Sequence, residues 1–426
     1  MQDGKINVLI FPCEGNSNEL HDALSYCFNV NVFGACSVQR HGKYIYRNYC
    51  SDIPYITSPD FIAKFNQYLD DNQIDLIFST HDTVSLFLAE HADELHSKPV
   101  QGDVNTNRIC RSKVKTHSLF EDCDFVPVRY KGIEDANLPV FVKPDEGEGA
   151  HGAFKCSTKQ ELELVDFSNN LVTEFLPGKE YTVDCFTDKN GKLCYISPRS
   201  RDRIFGGIAA AGRSIDLTME VEKIASTINQ RLKFLGLWYF QLREDAKGKL
   251  KLMEISVRCA GTMCMTRAKG INLPLLTVYA AMGYDTNIYD NGKLIEMDRS
   301  LIGRYNLNIE YDSVYMDFDD TITLRGEVNP LAMFFLYQCH NKNKKVYLLT
   351  RHIHNIHNTL AKYAISESLF TKIVSVDDGV LKSEYITDTN SIFIDNMFKE
   401  RTDVHEKIGI PVFDADAFEF LLDWRC

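Results

Sequence analysis

The sequence lacks the features of a membrane-spanning, disulfide-stabilised or zinc-stabilised protein. No apolar stretch reaches the roughly 20 residues that a membrane-spanning helix needs, and the run 331–337 is far shorter. The 13 cysteines form no CxxC pair and their number is odd, so we expect reduced thiols without a disulfide or zinc framework. Because no basic segment followed by an apolar core opens the chain, we also expect no signal peptide and a cytoplasmic location.

Basic residues are too few to balance the acidic ones. The chain has 47 lysines and arginines against 59 aspartates and glutamates, which gives a formal net charge of −12. A surface of this sign repels nucleic-acid backbones and anionic membranes, so neither class of partner is expected. An anionic substrate must therefore be bound by a local cluster of basic residues.

The order of strand and helix patterns predicts a multidomain α/β and α+β protein. At about 150 residues per domain, 426 residues accommodate two to four domains. Strand and helix signals alternate at both ends of the chain, which favours parallel sheets there, whereas short strands joined by turns dominate the middle. We predict an α/β domain, an α+β domain, a connector and a second α/β domain at 1–104, 105–290, 291–310 and 311–426.

The first chemical signal is a strand that ends in a lysine and leads into a glycine-rich turn. Residues 141–144 read FVKP, and Gly147 and Gly149 follow within DEGEGAHG. Lys143 can place its ammonium group beside phosphate oxygens, and the backbone N–H groups of the small residues can form an anion-binding nest. An ordinary hairpin with an exposed lysine is the alternative for this motif taken alone.

The next strand carries groups suited to a nucleoside. Glu174, Phe175 and Leu176 end a strand before a turn, and Glu180 follows. The backbone there can supply the acceptor and the donor that a purine needs, and a carboxylate can accept hydrogen bonds from both ribose hydroxyls. The alternative is a half-buried strand with a solvated glutamate.

Oxygen-bearing side chains on two neighbouring strands indicate a magnesium site. Glu254, Ser256 and Arg258 alternate along one strand and share a face, while Gln241 lies on the strand before it. Mg²⁺ takes few protein ligands and relies on substrate phosphates for the others. Arg258 can stabilise the charge of a transferring phosphoryl group. A solvated polar face is the alternative, although the apolar residues between these positions resemble a protein core.

Taken in this order, with Lys113 in the helical segment before them, the motifs resemble the ATP-grasp superfamily. The closest type is that of biotin carboxylase and the carbamoyl phosphate synthetase large subunit. The resemblance covers about 6–285 and implies a pre-ATP-grasp parallel sheet that includes the sequence FSTHD at 78–82. It also implies an ATP-grasp fold, with a lid at about 126–185 and a metal-bearing sheet.

The resemblance assigns ligands to these residues. It implies that ATP is held by Lys113, Lys143, Gly147, Gly149, Glu174, Phe175, Leu176 and Glu180, with Arg199 and Arg201 facing phosphate or substrate. It implies that one or two Mg²⁺ ions are held by Gln241, Glu254 and Ser256, and that Arg258 faces the reacting centre.

Two positions depart from the family pattern. Ser256 stands where the family has an asparagine, and the shorter hydroxyl implies that a second metal binds weakly or through water. Ala150 stands where a serine is common, so a side-chain contact is lost. Members of this superfamily use ATP to convert a carboxylate into an acylphosphate that an amine attacks. The resemblance therefore implies small-molecule carboxylate and amine substrates, and it allows a homodimer.

The C-terminal region has a second set of chemical residues at strand ends. Asp317 and Asp319 follow an apolar strand within DFDDT, and Thr350 ends the next strand. Lys382 and then Asp395 come later, and Asp395 follows another apolar strand. An aspartate nucleophile, a second carboxylate as acid and base, a hydroxyl, a lysine and a metal carboxylate make a complete phosphoryl-transfer site.

This region, about 311–426, resembles the haloacid dehalogenase superfamily. The resemblance implies a Rossmann-like phosphatase domain in which Asp317 is the nucleophile, Asp319 the acid and base, and Thr350 and Lys382 the phosphate stabilisers. It implies one Mg²⁺ at Asp317, Asp319 and Asp395. The short connections leave no room for a large cap domain. Asp320 replaces the usual glycine, and Asn396 and Glu400 stand in place of a second metal aspartate, so a degenerate regulatory domain is the alternative. The nearby histidines 352, 354 and 357 are expected to be solvated.

Three functions are consistent with these residues. The first is a carboxylate–amine ligase with its own phosphatase domain. The second is a phosphatase that is regulated by a nucleotide-sensing ATP-grasp domain. The third is a carboxylase, although no biotin-carrier segment with an acceptor lysine is visible in the sequence.

Overall fold

The computed structural model describes residues 4–15, 17–147, 149, 151–292, 294–305 and 307–425. Ala150, one of the two departures from the ATP-grasp pattern, lies outside these residues. The chain divides into two compact units, one within Met1–Leu301 and the other Ile302–Trp424. Across the described ranges, no helix is both long and apolar enough to cross a membrane. The twelve cysteines that the structure describes are free thiols.

The first unit begins with a parallel sheet of order β3-β2-β1-β4-β5. Its central strand is almost fully buried, as expected of a strand with helices on both faces. Because the chain continues from β1 to β2 on one side and returns to β4 on the other, a crevice forms at the carboxyl ends of β1 and β4. The elements are β1 (Ile6–Phe11), α1 (Ser17–Leu24), β2 (Val30–Ala35), β3 (Asn48–Cys50), α2 (Phe61–Asp71), β4 (Leu76–Ser79), α3 (Asp82–Glu90), β5 (Lys98–Pro99), α4 (Val104–Arg111) and α5 (Lys113–Leu119).

An antiparallel sheet of order β6-β9-β7-β8 follows and carries the glycine-rich turn. Its elements are β6 (Arg129–Tyr130), β7 (Val140–Pro144), β8 (Phe154–Cys156), α6 (Lys159–Leu162) and β9 (Asn170–Glu174). The lid predicted at about 126–185 is too long at its end. The strand at Glu180–Thr187 pairs along its whole length with a strand of the next sheet, so it does not belong to this one.

The central sheet of the first unit has the order β11-β10-β14-β15 and packs one face against α7. A smaller sheet of order β12-β13-β16 lies beside it. Because β16 pairs with β13, the predicted connector 291–310 starts within the first unit. The elements are β10 (Glu180–Thr187), β11 (Leu193–Ser200), β12 (Arg203–Phe205), β13 (Ile208–Arg213), α7 (Met219–Arg231), β14 (Gly236–Glu244), β15 (Leu250–Ser256), α8 (Cys264–Ala268), α9 (Leu273–Ala281) and β16 (Glu296–Asp298).

The second unit is built on a parallel five-stranded sheet of order β21-β20-β17-β22-β23. Only a two-stranded hairpin, β18-β19, interrupts the connection from β17 to α10, so the described residues contain no large cap in that connection. The elements are β17 (Ser313–Met316), β18 (Thr323–Leu324), β19 (Glu327–Val328), α10 (Pro330–Asn341), β20 (Lys345–Thr350), α11 (Ile356–Lys362), β21 (Lys372–Ser375), β22 (Ser391–Ile394), α12 (Phe398–Ile408), β23 (Val412–Phe413) and α13 (Phe418–Leu421).

Candidate functional site

A cavity of about 830 Å³ in the first unit is lined by several parts of the chain, of which three carry predicted site residues or the expected crevice. The segments after β1 and β4 contribute one wall, which is the crevice expected where the strand order reverses. Strands β14 and β15 contribute a second wall, and the glycine-rich turn a third. Of the predicted site residues, the cavity brings together Gly149, Arg201, Gln241, Glu254 and Arg258.

Gln241 and Glu254 are neighbours across the antiparallel pair β14–β15. They stand opposite each other in the strand register, and both line the cavity. Neither side chain makes a hydrogen bond or ion pair with another residue that the structure describes. Two adjacent, half-buried oxygen donors without protein partners fit a divalent cation that also binds substrate oxygens.

Ser256 and Arg258 are both held by Asp82, the first residue of α3. The Ser256 hydroxyl donates to Asp82 Oδ1 at 2.7 Å, and Arg258 donates Nε and Nη2 to Asp82 Oδ2 at 3.0 and 2.7 Å. Burial acts to raise the pKa of Asp82, but the Arg258 charge and these hydrogen bonds outweigh it and lower the pKa. The predicted metal ligand Ser256 is thus buried against Asp82 and does not line the cavity, whereas Arg258 does.

Two lysines approach the glycine-rich turn from different elements. Lys113, the first residue of α5, donates Nζ to the carbonyls of Asp145 and Gly147 at 3.3 and 3.0 Å. Lys143 is the penultimate residue of β7, and burial lowers its pKa to about 8, a shift that the charge of Glu254 opposes. Burial also lowers the pKa of Lys113, again against the charge of Glu254. Both ammonium groups therefore lie in the electrostatic field of the Glu254 carboxylate.

The predicted adenine and ribose residues lie at the end of β9 and the start of β10. The Glu174 carboxylate accepts from the Val128 amide at 2.9 Å, and the Phe175 amide donates to the Pro139 carbonyl. The amide of Leu176 has no hydrogen-bond partner among the described residues, so it can donate to a ligand. Glu180 accepts from two arginines, Arg201 at 3.2 Å and Arg243 at 2.8 Å. A ribose would have to share this carboxylate with them.

Arg199 does not line the cavity. It is 2% exposed and forms a buried ion pair with Asp184, and its Nε donates to the Thr262 hydroxyl at 2.8 Å. Arg199 is buried near the end of β11, whereas Arg201, just beyond the strand end, lines the cavity. The expectation that Arg199 faces phosphate or substrate is therefore not met by its position.

Replacing Arg199 by leucine should destabilise the first unit without weakening nucleotide binding. The change leaves the Asp184 carboxylate buried without a countercharge, which costs about 3–5 kcal/mol. The measurement is urea unfolding in a Trp424→Phe background, where Trp238 in the first unit is the remaining tryptophan. Unchanged stability together with weaker nucleotide binding would show that Arg199 contacts the ligand.

The cavity also contains residues that the sequence patterns did not identify. Glu14 and Arg40 form an ion pair after β1 and β2, with Nε and Oε1 3.1 Å apart. His41 and Tyr239 also line the cavity. Most of them lie in loops without a periodic pattern, so only the general rule that ligands bind at the carboxyl ends of parallel strands could have indicated them.

The second unit brings Asp317, Lys382 and Asp395 together at the carboxyl ends of neighbouring strands. The Lys382 Nζ lies 2.7 Å from Asp317 Oδ1 and 2.6 Å from Asp395 Oδ2, and all three side chains are buried. Burial raises the pKa of Asp317 to about 6, against the lowering effect of the Lys382 charge. Burial also raises the pKa of Asp395. The single ammonium group of Lys382 therefore lies between two carboxylates and offsets part of their combined negative charge.

Thr350 and Asp319 lie in the same loop cluster. Thr350 is buried at the end of β20, and its hydroxyl accepts from the His352 amide at 3.2 Å. The Asp319 carboxylate, half exposed, contacts the His352 ring. The expectation that His352 is solvated is wrong, because its ring is 11% exposed and contacts side chains through both nitrogens.

The second unit also offers oxygen donors that suit a divalent cation. Asn396 Oδ1, next to Asp395, is buried and has no hydrogen-bond partner among the described residues. Together with the carboxylates of Asp317 and Asp395, this oxygen fits a hard cation. No cluster of three or more His, Cys, Asp or Glu side chains in the described part of either unit forms a closed metal site. Mg²⁺ does not need one, because it usually retains water and substrate oxygens.

Residues 166–298, which lie in the first unit, match the family described as ATP-grasp in the biosynthetic pathway with Ter operon. No curated protein sequence matches the chain. The match includes Arg201, Gln241, Glu254 and Arg258 of the cavity.

Solved structures show the same fold at low identity. The biotin carboxylase domain dimer of Hydrogenobacter thermophilus 2-oxoglutarate carboxylase, in complex with MgADP, ADP and bicarbonate, is 13% identical with a TM-score of 0.54 over 67% of this chain and 71% of that one. L-amino acid ligase from Bacillus licheniformis is 17% identical with a TM-score of 0.51 over 65% and 74%. N5-carboxyaminoimidazole synthetase from Staphylococcus aureus with ADP is 13% identical with a TM-score of 0.55 over 67% and 79%. The chain therefore contains the fold of ATP-grasp proteins.

Proposed function

We propose that the first unit is an ATP- and magnesium-dependent ligase that activates a carboxylate as an acylphosphate and transfers the acyl group to an amine. The observation that carries this proposal is the pair Gln241 and Glu254, which stands without protein partners on the wall of a cavity that also contains Arg258. The ATP-grasp fold and the matched family segment support it.

Each residue has a role that its position allows. Lys143 and Lys113 bind phosphate oxygens, and Lys113 also holds the glycine-rich turn in place through two carbonyls. Glu254 and Gln241 hold Mg²⁺, which when bound neutralises the phosphate charge and aligns the phosphates. The Leu176 amide donates to the adenine. Arg258, oriented by Asp82, stabilises the charge that develops as the phosphoryl group moves to the substrate carboxylate.

We propose that the second unit is a phosphomonoesterase. Asp317 is its nucleophile, Asp319 its acid and base, and Thr350 and Lys382 bind the transferring phosphoryl group. Asp317 and Asp395, with Asn396, hold one Mg²⁺, which supplies positive charge at the phosphate oxygens. The contacts of Lys382 with both buried carboxylates support this arrangement.

The partners that we propose are small molecules and a second copy of this chain. The carboxylate and the amine of the ligase are small molecules that bind at the cavity of about 830 Å³. The biotin carboxylase domain of similar fold is a dimer, which supports a homodimer here.

The test is ADP release with Mg²⁺-ATP in an Asp317→Asn variant, which removes phosphatase background. Pools of carboxylates are added with and without pools of amines, and bicarbonate forms a separate arm. ADP release that needs both a carboxylate and an amine supports the ligase. Release that needs bicarbonate alone supports a carboxylase. If no pool stimulates release while the wild type hydrolyses phosphomonoesters, the first unit is a nucleotide sensor.

Nucleotide binding should weaken as the pH rises through 8. Burial lowers the pKa of Lys143 to about 8, so the ammonium group loses its proton in this range and ADP affinity should fall roughly tenfold from pH 7 to pH 9. Titration calorimetry with ADP measures this, and the Lys143→Arg variant, which keeps its charge, should lose most of the pH dependence.

Loss of the Lys143 proton should lower ADP affinity but not the stability of the fold. The two effects therefore distinguish weaker binding from unfolding. Between pH 8 and the ordinary lysine value of 10.5, the unfolded chain binds more protons at Lys143 than the folded chain. The contribution of this lysine to the free energy of unfolding therefore increases with pH over that range. A loss of affinity that follows a loss of structure would contradict the assignment.

A further inference from the structure

The half-exposed carboxylate of Asp319 is held by a largely buried histidine. The Nδ1 of His352 lies 3.0 Å from Asp319 Oδ1 and 2.9 Å from Oδ2, so it bridges both carboxylate oxygens. The side chain of Asp319 is 50% exposed, whereas that of His352 is 11% exposed. An aspartate at the surface can adopt several rotamers, and a ring fixed in the protein selects one of them.

The His352 ring is itself fixed on its other sides. Its Nε2 lies 2.9 Å from the Thr359 hydroxyl, which in turn donates to the Asn355 carbonyl at 3.2 Å. The ring packs edge-on against Phe318, with the ring centres 5.4 Å apart. Since Thr359 and Asn355 belong to the start of α11, the helix carries the support of the ring.

The backbone of His352 connects the same histidine to the phosphate side of the site. Its amide donates to the hydroxyl of Thr350, the buried residue that ends β20. One residue thus touches the proposed phosphate stabiliser through its backbone and the proposed acid and base through its ring.

We propose that His352 is a positioning residue that holds Asp319 in the orientation needed to exchange protons with the leaving group and with water. This inference rests on the proposed phosphatase activity. In the first step, Asp317 attacks phosphorus, the ester P–O bond breaks, and the leaving oxygen takes the proton of Asp319. In the second step, water attacks phosphorus, gives a proton to Asp319, and the P–O bond to Asp317 breaks.

The leaving group distinguishes this role from a purely structural one. An alkoxide needs a proton as it leaves, whereas p-nitrophenolate leaves without one. The ratio kcat/KM reports on the first irreversible step, which is the release of the leaving group. A misplaced Asp319 should therefore impair an alkyl phosphate far more than p-nitrophenyl phosphate, while general loosening of the fold should impair both equally.

The experiment compares full-length variants in a magnesium buffer with glycerol phosphate and p-nitrophenyl phosphate as substrates. His352→Leu should lower kcat/KM for glycerol phosphate about 10- to 100-fold and for p-nitrophenyl phosphate less than about threefold. His352→Asn keeps an N–H donor near the position of Nδ1 and should restore most of the loss. Thr359→Val, which removes the partner of Nε2, should give a smaller loss of the same kind.

A matched control lies on α11, the helix that carries Thr359. His357 pairs with Glu367 at 2.8 Å, but both side chains are more than half exposed, so His357→Leu should leave both rates unchanged. Equal losses on both substrates, no loss, or an asparagine variant as impaired as the leucine variant would overturn the role of His352. A wild type that hydrolyses neither substrate would instead overturn the phosphatase activity, and the role of His352 with it.

Discussion

Glu254→Gln should reduce carboxylate-dependent ADP formation about 10²- to 10³-fold, which is the largest effect expected of any single change in the first unit. The Glu254 carboxylate is the one anionic oxygen donor of the pair on β14 and β15. Glutamine keeps the size but removes the charge, so the proposed Mg²⁺ site would lose its anionic protein ligand and the phosphate charge would be less well neutralised.

The measurement is the rate of ADP formation with a pool that stimulates the Asp317→Asn protein, over a range of Mg²⁺ concentrations. A higher Mg²⁺ requirement would show that the metal site is the part affected. Glu222→Gln, an exposed glutamate on α7, is the matched control and should behave like the parent. A Glu254→Gln protein that forms ADP normally but has altered phosphatase activity would support the nucleotide-sensing alternative.

The sequence was sufficient to bring Gln241, Glu254 and Arg258 together because their geometry is local, and their roles in binding Mg²⁺ and phosphate stay proposals. Alternation places Glu254 and Arg258 on one face, and a hairpin joined by the turn Lys247-Gly248 brings Gln241 opposite Glu254. The same reasoning identified the strand ends of the second unit, since Asp317 and Asp395 each follow a short, fully buried strand.

The positions that sequence reasoning misjudged depend on long-range partners. The orientation of the Ser256 side chain is set by its hydrogen bond to Asp82, and that of Arg199 by its ion pair with Asp184. No periodic pattern in the sequence connects either pair. The contact between His352 and Asp319 joins two loops 33 residues apart. Only the folded sheets bring such residues together.

The backbone conformation of Asp320 explains why this position departs from the haloacid dehalogenase pattern, which has a glycine there. Asp320 has φ of +54°, in the left-handed region that glycine adopts without strain. A glycine at this position therefore suits the turn after β17, and aspartate is one of the few other residues that tolerate this conformation. The sequence shows the substitution but not the conformation that makes glycine common there.

Asp317→Asn and Lys382→Met should both abolish phosphomonoester hydrolysis, with losses of at least about 10⁴-fold, but only Lys382→Met should destabilise the fold at pH 7. The asparagine removes the nucleophile, and the methionine removes the cation that lies between the two buried carboxylates. Among the described residues, Lys382 is the one cation that contacts both carboxylates, so no other side chain of the site can replace its charge.

The stability difference follows from the raised pKa of Asp317. Burial raises its pKa to about 6, so between the ordinary value of 3.8 and 6 the folded chain binds more protons than the unfolded one. The free energy of unfolding therefore falls as pH rises through this range, and the charged carboxylate destabilises the fold at pH 7. Asparagine removes that charge, so Asp317→Asn should be at least as stable as the wild type at pH 7 and less dependent on pH.

Lys382→Met should destabilise the fold, because it leaves Asp317 and Asp395 buried without a countercharge. The second unit should lose about 3–5 kcal/mol at pH 7, and part of that loss should be recovered near pH 5, where the carboxylates bind protons. The measurement is urea unfolding with EDTA in a Trp238→Phe background, in which Trp424 reports on the second unit. Equal stability of the two variants would mean that the buried carboxylates are not charged at pH 7, and Asp317 would then lack the ionisation that a nucleophile needs.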